Sequence, residues 1–371
     1  MRIGIDCRLG GSRHAGIGRY IENLILRLPL LDPAMTWVYF YYDDEQQKYW
    51  SAALAKAHNV EWVKTPVRHY SISEQLTMPG FFSRAKLDLL HIPHFNIPLF
   101  YPGRLIITIH DLLWHEYYGT QVTTLPQWQY WFKYVAYRWV TRMAILRAER
   151  VLVPAETIKQ TVAKYFPRQL KKVVVTTEGA SPTLVVSQAR QSIARKTAKK
   201  HQLLYVGSLY PHKNLAVVIK ALKELPTYQL VVVGARTVFQ DQTKALVAAE
   251  GVSDQVTFAG FMPDEVLSQL FQTSLALVQP SLSEGFGLTG LEAMAAGIPL
   301  IASDIPIFRE IYQTGAIFFD PHRPEDFIRA VRTVETTQLS SLIKTGQRIA
   351  AQYSWDAMAK ETLRAYQEVA S

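Results

Sequence analysis

The feature that most constrains this chain is a rhythm that runs through it twice. Short runs of Val, Ile and Leu alternate with segments whose apolar residues recur at helical spacing. Continuous apolar runs mark strands buried on both faces, so the pattern predicts parallel sheets covered by helices, an α/β protein. Predicted strands fall at 3–7, 36–42, 89–92, 105–109, 151–154 and 173–176 in the first half, and at 203–206, 229–233, 256–258, 275–278 and 300–302 in the second. The first helix carries Ile21, Leu24, Ile25 and Leu28 on one face and is expected to end at Pro29 and Pro33. Residues 181–200 hold five basic residues and no acid, and read as a linker. The expected organisation is a domain over 1–180, a linker over 181–200 and a second domain over 201–353. Such a tandem is expected to bind ligands in a cleft at the carboxyl ends of its strands.

Composition narrows the class. At 371 residues with 49% hydrophobic and 19% charged residues, the chain buries large cores and is neither disordered nor of low complexity. Cys7 is the only cysteine, which excludes an intrachain disulfide and a cysteine-based zinc site and fits a reducing compartment. The first six residues already include Asp6, and no later stretch offers about 18 apolar residues without charge, so neither a signal peptide nor a spanning helix is expected. Charge is uneven: 22 basic against 14 acidic residues in 1–180, five against none in 181–200, and 13 against 17 in 201–371. The basic front half calls for an anionic partner, whether nucleic acid, membrane or a phosphorylated substrate, unless it is simply a solvated face.

Four segments carry chemistry. Residues 280–299 run from a strand through a glycine-rich turn into a helix near Thr289 that ends at Gly297, with Pro299 beyond. Amides exposed from Gly285 to Thr289, with the helix dipole, favour phosphate or clustered hydroxyls. Glu284 in the loop and Glu292 in the first helical turn would reach different parts of one ligand. In a second strand–loop–helix segment, Leu204 to Leu215, Lys213 is expected at a helix start, where a cation stabilises a departing anion. The loop Gly10 to Tyr20 joins the first strand to the first helix but has Ile21 where a dinucleotide fingerprint needs its third glycine, which disfavours a nicotinamide cofactor. A strand ending in His110-Asp111 completes the set, and His91, His94 and Asn96 are candidates for shaping an acceptor pocket.

The 280–299 segment resembles the Glu-x7-Glu signature of glycosyltransferase family 4, retaining enzymes of the GT-B fold with two facing Rossmann-like domains and a cleft between them. Leu204 to Leu215 resembles that family's Val-Gly-x-Leu-x-x-x-Lys-Asn box, and Gly16-Ile17-Gly18-Arg19-Tyr20 resembles its mannosyltransferase-like members. His110-Asp111 looks like the family's His-Asp element. Tyr353-Ser354-Trp355 looks like the point where a C-terminal helix, here 354–371, crosses back to the first domain. There are two departures: Ser208 stands where many relatives have a diphosphate-binding Arg, with Arg236 or His212 as candidate substitutes, and Thr289 stands where Pro is common.

The resemblance implies a hexosyltransferase working from a nucleotide sugar, GDP-mannose first and UDP-sugars next, onto a glycan or polyprenyl-linked saccharide. Acceptor would bind the first domain and donor the second. It implies Glu292 on the ribose hydroxyls, and Glu284 with the Gly285, Phe286, Gly287, Leu288 and Thr289 backbone on the donor sugar. Lys213 and the Gly16 loop would serve the diphosphate, with His110 beside the anomeric centre. No metal and no cofactor beyond the substrate are implied, nor is nucleic acid an expected partner. A cytoplasmic enzyme, peripheral at the inner face of an anionic membrane, fits this reading. Two readings from other classes stay open: a GT-B-fold nucleotide-sugar epimerase, and a non-catalytic nucleic-acid binder that uses the basic half.

The 128–147 segment bears on the membrane. Its Trp128, Trp131, Phe132, Val135, Trp139, Met143 and Leu146 stripe is expected to be core. Tyr130, Tyr134 and Tyr137, with Lys133, Arg138, Arg142 and Arg147, form the outward face and the candidate membrane contact.

Overall fold

A computed structural model describes residues 1–11, 14–119, 122–180, 201–234, 238–336 and 339–370. The chain divides into two compact units, one of residues 1–115, 127–178 and 354–371, the other of 116–126 and 179–353. The expected linker, 181–200, lies outside the described residues.

In the first unit β1 (Arg2–Asp6), β2 (Thr36–Tyr41), β3 (Val60–Lys64), β4 (Leu89–Ile92), β5 (Leu105–Thr108), β6 (Arg150–Val153) and β7 (Val173–Val175) form one sheet in the order β3-β2-β1-β4-β5-β6-β7. In the second, β8 (Gln202–Val206), β9 (Gln229–Val233), β10 (Val256–Gly260), β11 (Ala276–Gln279), β12 (Leu300–Ser303) and β13 (Ile317–Phe319) give the order β10-β9-β8-β11-β12-β13. Every strand pairing is parallel. Both units are Rossmann-like: the first strand sits mid-sheet and the order reverses beside it, which opens a crevice at the carboxyl ends between β1 and β4 and between β8 and β11.

The central strands β4, β5, β11 and β12 are buried along their whole length, as continuous apolar runs dictate. The two strands absent from the sequence reading, β3 and β13, are both edges. An edge is covered on one side only and carries polar residues, such as the exposed Glu61 and Lys64 of β3, and β13 is three residues long. β3 offers no uninterrupted apolar run, and the apolar run of β13, Ile317 to Phe319, is shorter than a typical strand.

The first helix, Ala15–Ile25, stops before Leu28, and Pro29 does not end it. Pro29 instead enters the first turn of a second short helix, Leu28–Leu31, where its missing N–H costs nothing. Gly18 is needed for close approach: a Cβ there would lie 1.9 Å from the Gly11 carbonyl oxygen. Because that neighbour is backbone and cannot rotate away, Gly18→Ala should cost about 1–3 kcal/mol, read as a lower denaturation midpoint with an unchanged slope.

The Gln127–Arg147 helix inverts its predicted orientation. Tyr130, Tyr137, Thr141, Ala144 and Ile145 face the core, while Trp128, Trp131, Phe132, Val135, Trp139 and Leu146 are exposed. The buried face wins because its neighbours are polar-tipped and close: Tyr137 hydroxyl lies 2.8 Å from His115 Nδ1, and the Tyr137 ring meets Phe95 and Trp114 edge-on. Burial, with Arg138 adding repulsion, pushes the His115 imidazole down to about 4, so a neutral ring faces the tyrosine. Thr141 and Ala144 are small enough to let the helix approach, which the tryptophans are not.

The C-terminal helix, Trp355–Ala370, belongs to the first unit. Asp356 pairs with Arg27 at 2.5 Å, and Tyr366 hydroxyl lies 2.6 Å from His91 Nδ1.

Candidate active site

The second unit places its chemistry at the β8/β11 crevice. The loop after β8 ends in a single 3-10 turn, Pro211–Lys213, then Asn214 at φ 53°, and the helix Leu215–Ala221 starts two residues beyond Lys213 rather than at it. Asn214 accepts that left-handed conformation and anchors it by donating from Nδ2 to the Pro321 carbonyl at 2.8 Å. The loop after β11 is tied alongside, since Leu282 N–H donates to the His212 carbonyl at 2.7 Å. These constraints bring Lys213 Nζ to 2.7 Å from Glu284 Oε1, and Ser281 hydroxyl donates to the same oxygen at 2.9 Å. Both charged side chains stay partly open to solvent, so the pair presents a cation and an acceptor to an incoming ligand.

Immediately after comes the helix Leu288–Ala296. Its N-cap Gly287 sits at φ 95°, and a Cβ there would meet the Tyr312 hydroxyl at 2.2 Å. That hydroxyl lies 2.6 Å from the Gly287 carbonyl and 2.5 Å from Gln279 Oε1, which locks the turn to the end of β11. Phe286 and Leu288 are buried, Phe286 edge-on to Tyr353, so these residues have backbone rather than side chain to offer a ligand. Glu292 is buried at the fifth helical position, just past the expected first turn, and Gly297 ends the helix at φ 76°. A cavity of about 430 Å³ adjoins the Leu282 loop, lined by Tyr117, Asp304, Asp320 and His322. Asp304 there is held by a bidentate pair with Arg309, at 2.6 Å to each carboxylate oxygen.

In the first unit His110 follows β5 and uses both ring nitrogens: Nδ1 lies 3.2 Å from Glu178 Oε1 and Nε2 3.2 Å from the Pro93 carbonyl. Tyr20 packs edge-on against it at 4.8 Å. Gly16 is exposed in the first turn of Ala15–Ile25. His91 does not line a pocket; it is fully buried between Tyr366 and Thr108 Oγ1, the latter at 2.8 Å, and burial with repulsion from His110 pushes its pKa down to about 3. His94 and Asn96 line a cavity of about 10 Å³, room for one water, with Asp6, Leu9 and His69.

The structure therefore brings together Lys213, Glu284, the Gly285–Thr289 backbone and Glu292 in one unit, and His110 and Gly16 belong to the other. Arg236 lies outside the described residues; Ser208 gives its carbonyl to the Tyr205 hydroxyl at 2.5 Å. Sequence reasoning missed Glu178, although it lies just past β7, at the same carboxyl end of the parallel sheet as His110 past β5. It also missed a buried ionic cluster at the β1/β4 crevice. There Arg8 pairs with Asp6 at 2.6 Å and Glu74 at 2.7 Å, and Glu74 accepts from Asn96 Nδ2 at 2.7 Å. The arginine holds the Asp6 carboxyl below its usual range against the desolvation that would raise it. Glu74 lies 66 residues from Arg8, beyond the reach of local pattern.

Residues 14–183 match the family described as Glycosyltransferase Family 4, and residues 187–352 match Glycosyl transferases group 1. The chain belongs to glycosyltransferase family 4. Among family relatives, the O-antigen chain mannosyltransferase RfbU of Salmonella typhimurium is 29% identical over 79% of this chain and 77% of its own length. The O-antigen chain mannosyltransferase B of Escherichia coli is 25% identical over 75% and 74%. Among solved structures, sucrose-phosphate synthase from Thermosynechococcus elongatus superposes with a TM-score of 0.76 at 16% identity, covering 100% of this chain and 99% of its own. The family 4 fold is thus GT-B, and this glycosyltransferase has mannosyltransferases among its relatives.

Proposed function

We propose that this family 4 glycosyltransferase transfers mannose from GDP-mannose to a glycan or polyprenyl-linked saccharide, with retention at the anomeric carbon and without a metal. The observation that carries the reading is the cation–carboxylate pair Lys213–Glu284 beside the Gly287–Leu288 helix start, at the β8/β11 switch point. A helix N-terminus and a lysine suit a diphosphate, and the Glu284 acceptor suits sugar hydroxyls. Mannose is favoured over other hexoses by the O-antigen mannosyltransferase relatives. In the displacement, the bond from the anomeric carbon to the diphosphate oxygen breaks as that carbon bonds the acceptor oxygen. The acceptor proton passes to the departing phosphate, so no carboxylate is needed as base, and Lys213 stabilises the charge that grows on the diphosphate.

The test is a thermal-shift panel of nucleotides and nucleotide sugars, followed by transfer with the donor that shifts the midpoint most, in chelator, with the product anomer read by NMR. A ligand present at about 100 times its dissociation constant stabilises by about 2.7 kcal/mol, an easily read shift. GDP and GDP-mannose are expected to shift the midpoint, with an α-mannoside as product. A larger shift by UDP would move the donor to a UDP-sugar, and formation of the epimeric nucleotide sugar without acceptor would replace transfer by epimerisation.

A further inference from the structure

The Gln127–Arg147 helix has two apolar faces, and the first unit uses one of them. At roughly 100° per residue, the six exposed residues from Trp128 to Leu146 fall within a sector of about 100°, opposite the buried Tyr137. Their exposure is not marginal: Trp128 is 72% exposed, Phe132 73%, Val135 64% and Trp139 55%. The stripe extends for about 27 Å at 1.5 Å per residue, larger than the scattered apolar residues of an ordinary surface. Arg142 projects within the sector and Arg138 at its edge. From Tyr117 to Ala148 the sequence contains Lys133, Arg138, Arg142 and Arg147 and no acid.

We propose that this tryptophan–phenylalanine stripe docks on an anionic lipid bilayer, the helix lying in the plane of the interface with Arg138 and Arg142 among the lipid phosphates. Three properties favour lipid over a protein partner. Tryptophan prefers the boundary between hydrocarbon and headgroup, where an apolar ring and one N–H are both accommodated. The surface is a convex helical ridge, which a deformable bilayer covers without a complementary groove. Along the chain from Tyr117 to Ala148 the charge has one sign only, which complements anionic headgroups. No described helix is long and apolar enough to cross a membrane, so the contact is peripheral. Tyr130 and Tyr137 of the face expected to make this contact are buried and Tyr134 is half-buried, so the docking face is the opposite one.

The test uses the full chain in flotation with vesicles of phosphatidylglycerol and phosphatidylethanolamine against phosphatidylcholine alone, with brominated lipid as a quencher of tryptophan fluorescence. The protein should float with the anionic vesicles and be quenched. W128S/F132S/W139S should lower partitioning at least about tenfold, while thermal midpoint and transfer to a water-soluble acceptor stay unchanged. R138E/R142E should weaken binding to anionic vesicles only. Protein that stays at the bottom overturns the proposal, as does a triple variant that floats as well as the parent. A dimer in sedimentation velocity that the triple variant splits, without flotation, would assign the stripe to a second copy. Transfer to the soluble acceptor reports on the enzymatic reading separately, so its failure would leave the flotation result intact.

Discussion

Lys213→Ala is expected to lower turnover by about 100-fold or more, equal to about 2.7 kcal/mol of transition-state stabilisation. Lys213 is the cation fixed beside the 288–296 helix start, where Ser208 supplies none. Its 3-10 turn and left-handed Asn214 hold it in place before any ligand arrives, so no reorganisation is needed as the leaving group gains charge. The loss should fall on kcat more than on KM, because the diphosphate's leaving oxygen is more anionic in the transition state than in the ground state. Lys213→Arg should recover part of the rate, as it keeps the charge but not the compact ammonium. The fold should survive, since Glu284 keeps Ser281 as a donor and both side chains of the lost pair face solvent in part. Steady-state rates alongside a thermal midpoint check this; an unchanged kcat would remove Lys213 from the leaving-group site.

Glu292→Ala is expected to weaken nucleoside diphosphate binding by about 1.5–3 kcal/mol, or roughly 10- to 150-fold, the worth of charge-assisted hydrogen bonds to two ribose hydroxyls. The buried side chain sits on a helix whose start is pinned by Gly287 and Tyr312, so its position is held by packing rather than by ligand. Glu292→Gln, which keeps shape and one acceptor, should fall between. Calorimetric titration with GDP and UDP measures both, and the deoxyribose forms should lose their discrimination in the alanine variant. Equal affinity in parent and variant would take Glu292 out of the ribose site.

The local architecture of the two second-unit segments, 204–215 and 280–299, was legible in the sequence because it is local. Lys213 with its neighbours and Glu284 through Glu292 lie within short spans, each a strand, a turn that requires glycine and a helix start, and those spans adopt the expected order of elements. The helix start was misplaced by two residues at Lys213 and by one before Thr289, which moved Glu292 beyond the first turn. Such shifts come from caps, Asn214 and Gly287 in left-handed conformations, that periodicity does not register.

By itself the sequence determined two parallel-sheet units and the central strands of each, because burial on both faces demands uninterrupted apolar runs. It also determined the family, through motifs that are contiguous. Tertiary structure alone decided which face of Gln127–Arg147 is buried, because both faces are apolar and the choice depends on whether Phe95, Trp114 and His115 can pack against tyrosine or tryptophan. It likewise decided the Arg8–Asp6–Glu74 cluster and the Glu178–His110 pair, whose members are joined by the sheet and not by the chain. Local patterns record how a segment meets a generic core; only the assembled neighbours specify which core it meets.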